Sequence, residues 1–247
     1  MLNLVILSII LFAISFACGS VPMAKSFRNQ SDLLRRMTGV AAGTLTVSAL
    51  LVIIPEGFAL TEDYAGIALL SGFLAIMTLE CFGFGHDIHE EHHAHSLEHG
   101  HSHVNHPSDA TRAILGLSIH SLTDGLAIGA ALASHEILLT ISISIAIVAH
   151  KIPAAFSVGV FSMHQHSRLG RGLRELTLFS LATPIAIFVS YFFLQNLTEA
   201  LLGVAMLFSA GTFLYVATVD VLPDVHNSET GKSPLSHVLI GALLMAI

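Results

Sequence analysis

Charge is what this chain has least of: 11% of its 247 residues are charged, and only ten are Lys or Arg. Soluble domains carry about 25% charged residues, so a water-facing surface of ordinary extent is excluded. A net charge of −7 with no basic patch excludes a nucleic-acid partner. Tryptophan is absent, and the two cysteines, Cys18 and Cys81, both sit in apolar segments. Two isolated thiols make neither a disulfide framework nor a CxxC metal clip.

What the chain has instead is apolar length. Hydrophobic residues make up 53% of it and come in long blocks. A run of roughly 18 or more such residues crosses a bilayer as a helix. Breakers between the runs predict eight transmembrane segments near 2–23, 37–60, 64–84, 112–134, 137–163, 175–194, 200–221 and 236–247. The first has no positive n-region and exceeds a usual h-region, so it is expected to be a retained helix and not a signal peptide. The eighth shows only about twelve residues, too few to span at 1.5 Å per residue, and is expected to be incomplete. The fold class is therefore an all-α membrane protein. Helices one to three occupy 1–84, a His-rich loop 85–111, central helices four and five 112–163, a basic loop 164–174, and helices six to eight 175–247.

The cations orient these segments. Lys25, Arg28, Arg35 and Arg36 follow segment one, and Arg112 borders the loop after segment three. Arg168, Arg171 and Arg174 follow segment five, and Lys232 follows segment seven, whereas the even-numbered loops carry no Lys or Arg. The positive-inside rule makes that shared side cytosolic and both termini extracytoplasmic.

A repeat is visible as well. Segment two contains Ala42-Gly43-Thr44 and ends in Ile54-Pro55-Glu56; segment seven contains Ala210-Gly211-Thr212 and ends in Leu222-Pro223-Asp224. Glycine precedes proline by twelve positions in both, yet the two segments run in opposite directions. This predicts two inverted-topology three-helix repeats, helices 1–3 and 6–8, around central helices 4 and 5.

Intramembrane ionisable groups cost about 2.5–3.5 kcal/mol each on insertion scales and mark function. Here they gather in the central segments. His120 and Asp124 are four positions apart, so both project from one helix face. An imidazole beside a carboxylate is half of a site for a borderline cation such as zinc. His150 is the third ligand candidate, next to a backbone that Pro153 should loosen. Ser121, Lys151 and Asp220 are accessory candidates, with Lys151 balancing Asp124 or Asp220, or standing where a second metal would sit. Gly125 and Gly129 should let a neighbouring helix come close and bring ligands into reach.

Nine histidines, His86, His89, His92, His93, His95, His99, His101, His103 and His106, crowd the third loop. Such a tract is a flexible, low-selectivity metal chelate. His89 to His93 formally matches HExxH, but in so His-rich a tract the match is nearly inevitable and no apolar helix surrounds it. Glu56, Glu80, Pro184 and Asp224 read as structural: caps, helix ends and a kink. These residues point to a divalent-metal transporter. A membrane-embedded zinc hydrolase would need a general base, which the central helices lack beyond the ligands; a receptor with a structural polar core is the other alternative.

His120-Ser121-Leu122-Thr123-Asp124-Gly125 resembles the HNxxDG/HNxxEG signature of the ZIP (Zrt/Irt-like) zinc transporters, and His150-Lys151-Ile152-Pro153-Ala154-Ala155 resembles their fifth-helix motif. The run from Leu207 to Val219 is especially similar to the branch around that family's ninth human member. The resemblance covers nearly the whole chain. It implies eight helices, an elevator-like or rocking cycle, inward flux of zinc as substrate with no cofactor, a homodimer, and residence in the Golgi, trans-Golgi or plasma membrane. Ser121 stands where the family usually has Asn, and Lys151 and Ala154 stand where carboxylates complete a two-metal centre. One transport metal is therefore expected. The cation pattern also makes a checkable statement about Asn29, which begins an Asn-Gln-Ser sequon in the first cytosolic loop. Mass spectrometry of the membrane-extracted chain should find Asn29 bare, and an attached glycan would reverse the assigned orientation.

Overall fold

The computed structural model describes residues 2–24, 31–61, 64–82, 110–165, 169–221 and 233–246. Every regular element among them is helical. α1 (Leu2–Ser20) ends in a 3₁₀ turn, Val21–Met23. α2 (Ser31–Val47), a π-helical stretch (Ser48–Ile53) and α3 (Ile54–Leu60) form one continuous rod. α4 (Ala65–Cys81), α5 (Ala110–Ala133), α6 (Ile137–Gln165) and α7 (Leu169–Leu194) follow. α8 (Glu199–Tyr215) runs into a second π stretch, Val216–Val221, and α9 (Ser233–Ala246) closes the described chain. The described residues thus contain eight helical rods. Six are long and apolar enough to cross a bilayer; α4 and α9 are shorter apolar helices.

Some boundaries differ from the sequence expectation. The helix of segment two begins at Ser31, although its apolar span, Gly39–Leu60, matches the expected 37–60, and α7 begins at Leu169, not near 175. The loop expected over 164–174 therefore shrinks, since α6 reaches Gln165, and Arg171 and Arg174 fall in the first two turns of α7. Charge does not end a helix; it only ends the apolar run from which the boundary was judged. Pro153 and Pro184 lie inside α6 and α7, and neither interrupts helix assignment.

Large apolar side chains cover the outside, including Ile9, Ile67, Ile141, Ile145 and Phe193, while Ser, Thr, His, Asp and Lys side chains are buried. That distribution suits lipid as the surrounding solvent. The helices pack as two groups. In one, α5 lies along α7, and α1 along α6 and α7; in the other, α4 lies along α8, and α9 along α2. The groups meet where α6 touches α2 and α5 touches α8.

Glycine sets the closeness of these pairings. A methyl group at Gly211 would overlap the Leu69 carbonyl of α4, and one at Gly72 would overlap the Phe208 carbonyl of α8. Gly43 and Gly241 make the corresponding contacts with Val238 and Val40, joining α2 to α9. Absence of Cβ is the requirement here, because backbone cannot yield as a flexible side chain can. Gly211→Ala should therefore lower stability by about 1–3 kcal/mol, as overpacking does. Gly66→Ala, at a site with nothing within 4 Å, should leave it unchanged. Thermal unfolding in detergent compares the two; equal melting temperatures would contradict the backbone contact.

Candidate metal centre

Two neighbouring helices assemble the polar core. α5 supplies His120 and Asp124 one turn apart, and α6 supplies His150 and Lys151. These side chains are 3, 0, 2 and 1% exposed, so bulk water reaches none of them. His120, Asp124 and His150 each present one donor atom, and the three atoms lie within 4.8 Å of one another.

Asp124 Oδ1 is the shared corner. It stands 3.5 Å from His120 Nε2 and 3.2 Å from His150 Nε2. Zinc bonds of 2.0–2.2 Å in a tetrahedron require donor separations of about 3.4 Å. The two measured edges bracket that value. The orientation of His150 sharpens the point. Its Nδ1 is 2.9 Å from the Ala146 carbonyl, which can only accept, so Nδ1 donates. The lone pair of a neutral ring is then on Nε2, facing a carboxylate oxygen. Two acceptors at that separation are favourable only with a cation between them, a proton or a metal ion.

The other carboxylate oxygen is already engaged. Lys151 Nζ lies 2.9 Å from Asp124 Oδ2 and donates to Thr183 Oγ1 at 2.5 Å. Thr183 in turn donates to the Ser121 carbonyl at 2.9 Å, tying α7 to α5. Lys151 Nζ also sits 4.9 Å from the centroid of the Phe179 ring, within cation–π range. A buried ammonium is tolerated only when paired in this way. Asp124 thus offers a metal one oxygen, not two.

The structure brings together four of the sequence-derived candidates: His120, Asp124, His150 and Lys151. Ser121 is also buried there, but its hydroxyl donates to the Leu117 carbonyl at 2.8 Å and not toward the imidazoles. The Asp220 side chain and His86, His89, His92, His93, His95, His99, His101, His103 and His106 lie outside the described residues, as does Asp224. Glu80 accepts a 2.5 Å hydrogen bond from Tyr215, joining α4 to α8, and Glu56 stands in the first turn of α3. Gly125 and Gly129 do admit a close neighbour, but it is α7, at Thr183 and Ser190, and not a ligand-bearing helix.

Three residues of this environment escaped the sequence reading. Thr183 and Phe179 lie in an apolar helix remote from the motifs, and Phe213, although inside the run from Leu207 to Val219, was given no role in the site. Phe213 of α8 contacts both imidazoles edge to face, at 5.7 Å from His120 and 5.5 Å from His150. Nothing in the pattern of an apolar helix distinguishes such a phenyl ring from one facing lipid. The local signals were the position of Thr183 directly before Pro184 and that of Phe213 directly after Ala210-Gly211-Thr212.

Comparison with known proteins bears on this arrangement. The family profile described as ZIP Zinc transporter matches residues 85–247, which include α5 and α6 with the whole polar core. Zinc transporter ZIP9 of Xenopus tropicalis is 31% identical over 97% of this chain and 93% of its own length. Zinc transporter ZIP9 of Micropogonias undulatus is 33% identical over 89% and 84% respectively. Zinc transporter ZIP2 of Homo sapiens is 30% identical over 62% of this chain and 52% of that protein. A match that spans nearly the full chain at this identity, over an all-helical core that buries a zinc-compatible donor set, leaves one assignment: the chain belongs to the ZIP family of zinc transporters.

Proposed function

We propose that this zinc transporter passes its ion through the position bounded by His120, Asp124 and His150, toward the side on which Lys and Arg concentrate. The observation that carries the reading is the convergence of three donor atoms within 4.8 Å in a buried core, with both edges at Asp124 Oδ1 at zinc-compatible separations. Two neutral imidazoles and one carboxylate oxygen leave a fourth position open, as an ion that must arrive and depart requires. The positive-inside bias makes the receiving side the cytosol and places both termini outside it. Six apolar spans with α4 and α9 as the shorter two make up the eight crossings of this reading.

The inverted repeat belongs to the same proposal, and structural correspondence supports it. The π stretches Ser48–Ile53 and Val216–Val221 begin five residues after Gly43 and Gly211 and end two before Pro55 and Pro223. The glycine contacts correspond too: Val40 against Gly241 mirrors Phe208 against Gly72. Transporters built this way hold substrate between the related halves. Lys151 fills the second metal position of the family pattern, so one ion moves at a time. The His86–His106 tract gathers zinc at the cytosolic mouth without being part of the path. A homodimer in Golgi or plasma membrane completes the reading.

Uptake of radioactive zinc into proteoliposomes tests the path. His120→Ala, Asp124→Ala and His150→Ala should each reduce uptake to background with normal membrane expression, and deletion of 86–106 should leave uptake in place. Retained uptake in any of the three variants would sink the assignment. Lys151 has a separate test through stability. Lys151→Met should cost about 3–5 kcal/mol, because Asp124 is left charged and unpaired in a buried site. Adding Asp124→Asn to it should restore much of the loss, read by thermal unfolding in detergent. Additive losses would show that the pair is not coupled.

A further inference from the structure

The three ligand groups lie in α5 and α6, but the surface facing them belongs to α8. Phe213 is wholly buried there. Its ring meets both imidazoles at steep angles, 66° to His120 and 67° to His150. The two imidazoles are 5.6 Å apart, centroid to centroid, so one phenyl ring bridges the pair. Flanking hydroxyls set its height against α5. Thr212 Oγ1 is 3.1 Å from Thr123 Oγ1, and Ser209 Oγ donates to the Thr123 carbonyl at 3.2 Å. Thr123 directly precedes Asp124.

Donor atoms on the remaining sides are already committed. Asp124 Oδ2 is held by Lys151, and His150 Nδ1 by the Ala146 carbonyl. Among the described residues, an ion in this site meets two Nε2 atoms, one Oδ1 and, toward α8, a phenyl ring that offers no lone pair. Zinc accepts four ligands with a mixed nitrogen and oxygen set, whereas manganese(II) takes six and favours oxygen. To reach six on these three donors, manganese would need three waters around it. A phenyl ring excludes water from one whole side.

We infer that Phe213 is a specificity-determining residue: it caps the donor set on the α8 side and holds the coordination number low, which favours zinc over cations that need six ligands. This rests on reading the triad as the transport site and adds to it the reason for metal preference. The cap supplies what the missing carboxylates at Lys151 and Ala154 cannot, a selection by geometry and not by charge.

Competition in proteoliposomes tests it. Zinc uptake is measured against rising manganese(II) for the unaltered chain, Phe213→Ala and Phe213→Leu. Phe213→Ala should lower the manganese concentration that halves zinc uptake by roughly tenfold, the scale of discrimination set by small changes in an apolar pocket wall. Phe213→Leu, which keeps most of the volume, should lower it by less. A residue that only fills space would slow zinc uptake without moving that concentration, and this result overturns the inference. If Phe213→Ala does not reach the membrane intact, Phe213→Leu carries the test, and an unchanged half-inhibiting concentration overturns it equally. His120→Ala in the same assay separates the two levels. Zinc uptake that survives it removes the transport site itself; loss of uptake there, with Phe213 variants competing like the unaltered chain, removes only the cap.

Discussion

A single carboxylate divided between two partners governs the centre of this protein. Asp124 turns Oδ2 to the Lys151 ammonium and Oδ1 to two imidazoles. Any rotation of that side chain that strengthens one set of contacts weakens the other. The ion pair also neutralises Asp124 before a metal arrives. A zinc ion among His120, Asp124 and His150 therefore brings two positive charges that these four side chains do not compensate. In a buried site that is a heavy penalty, and it opposes the gain from three coordinate bonds. A structural zinc site would suffer from this opposition. A carrier gains by it, because an ion bound too well is never released.

The helices deliver that geometry through two kinds of contact. Within each group, glycine lets backbone meet backbone: Gly125 of α5 against the Thr183 carbonyl of α7, Gly159 against Gly19 of α1, Gly211 and Gly72 between α4 and α8. Such contacts have no soft side chain to absorb a displacement. Between the groups, around the metal centre, the contacts are of another kind. They are the edge-to-face contacts between Phe213 and the His120 and His150 rings, and the hydroxyls of Thr212 and Ser209 on Thr123. Rings slide and hydroxyls rotate at far less cost than overlapping backbones separate. The donor set thus belongs wholly to one group and is covered by the other across a seam of ring and hydroxyl contacts.

How much of this could be read from residues alone follows from the range of each interaction. His120 and Asp124 are four apart on one helix, so their common face is a matter of helical geometry, and apolar context alone made them conspicuous. His150 and Lys151 were conspicuous for the same reason. Their convergence with Asp124 joins positions 26 and 27 apart in sequence, and only packing could place them. That Asp124 pairs with Lys151 was equally undecided in sequence, where Asp220 stood beside it as a candidate. Thr183, Phe179 and Phe213 were illegible, since hydroxyls and phenyl rings occur throughout apolar helices without consequence. Helix ends were misjudged wherever charged residues continue a helix past its apolar run, as at Arg171 and Arg174. The π stretches left no periodic mark, although the Gly43–Pro55 and Gly211–Pro223 spacing flagged the rods that contain them.

Symmetry in the surrounding helices makes the asymmetry of the core more informative. The two π stretches and the paired glycine contacts correspond position by position, and α5 and α6 fall between the two stretches in the chain. Yet the carboxylate is carried only by α5 and the ammonium only by α6. Asp124 comes from one helix and Lys151 from the other, with the ammonium displaced from the imidazoles toward Thr183 and Phe179. The core therefore has an end of imidazoles and an end that carries the paired ammonium, and this polarity comes from side-chain charge and not from the helical frame around it.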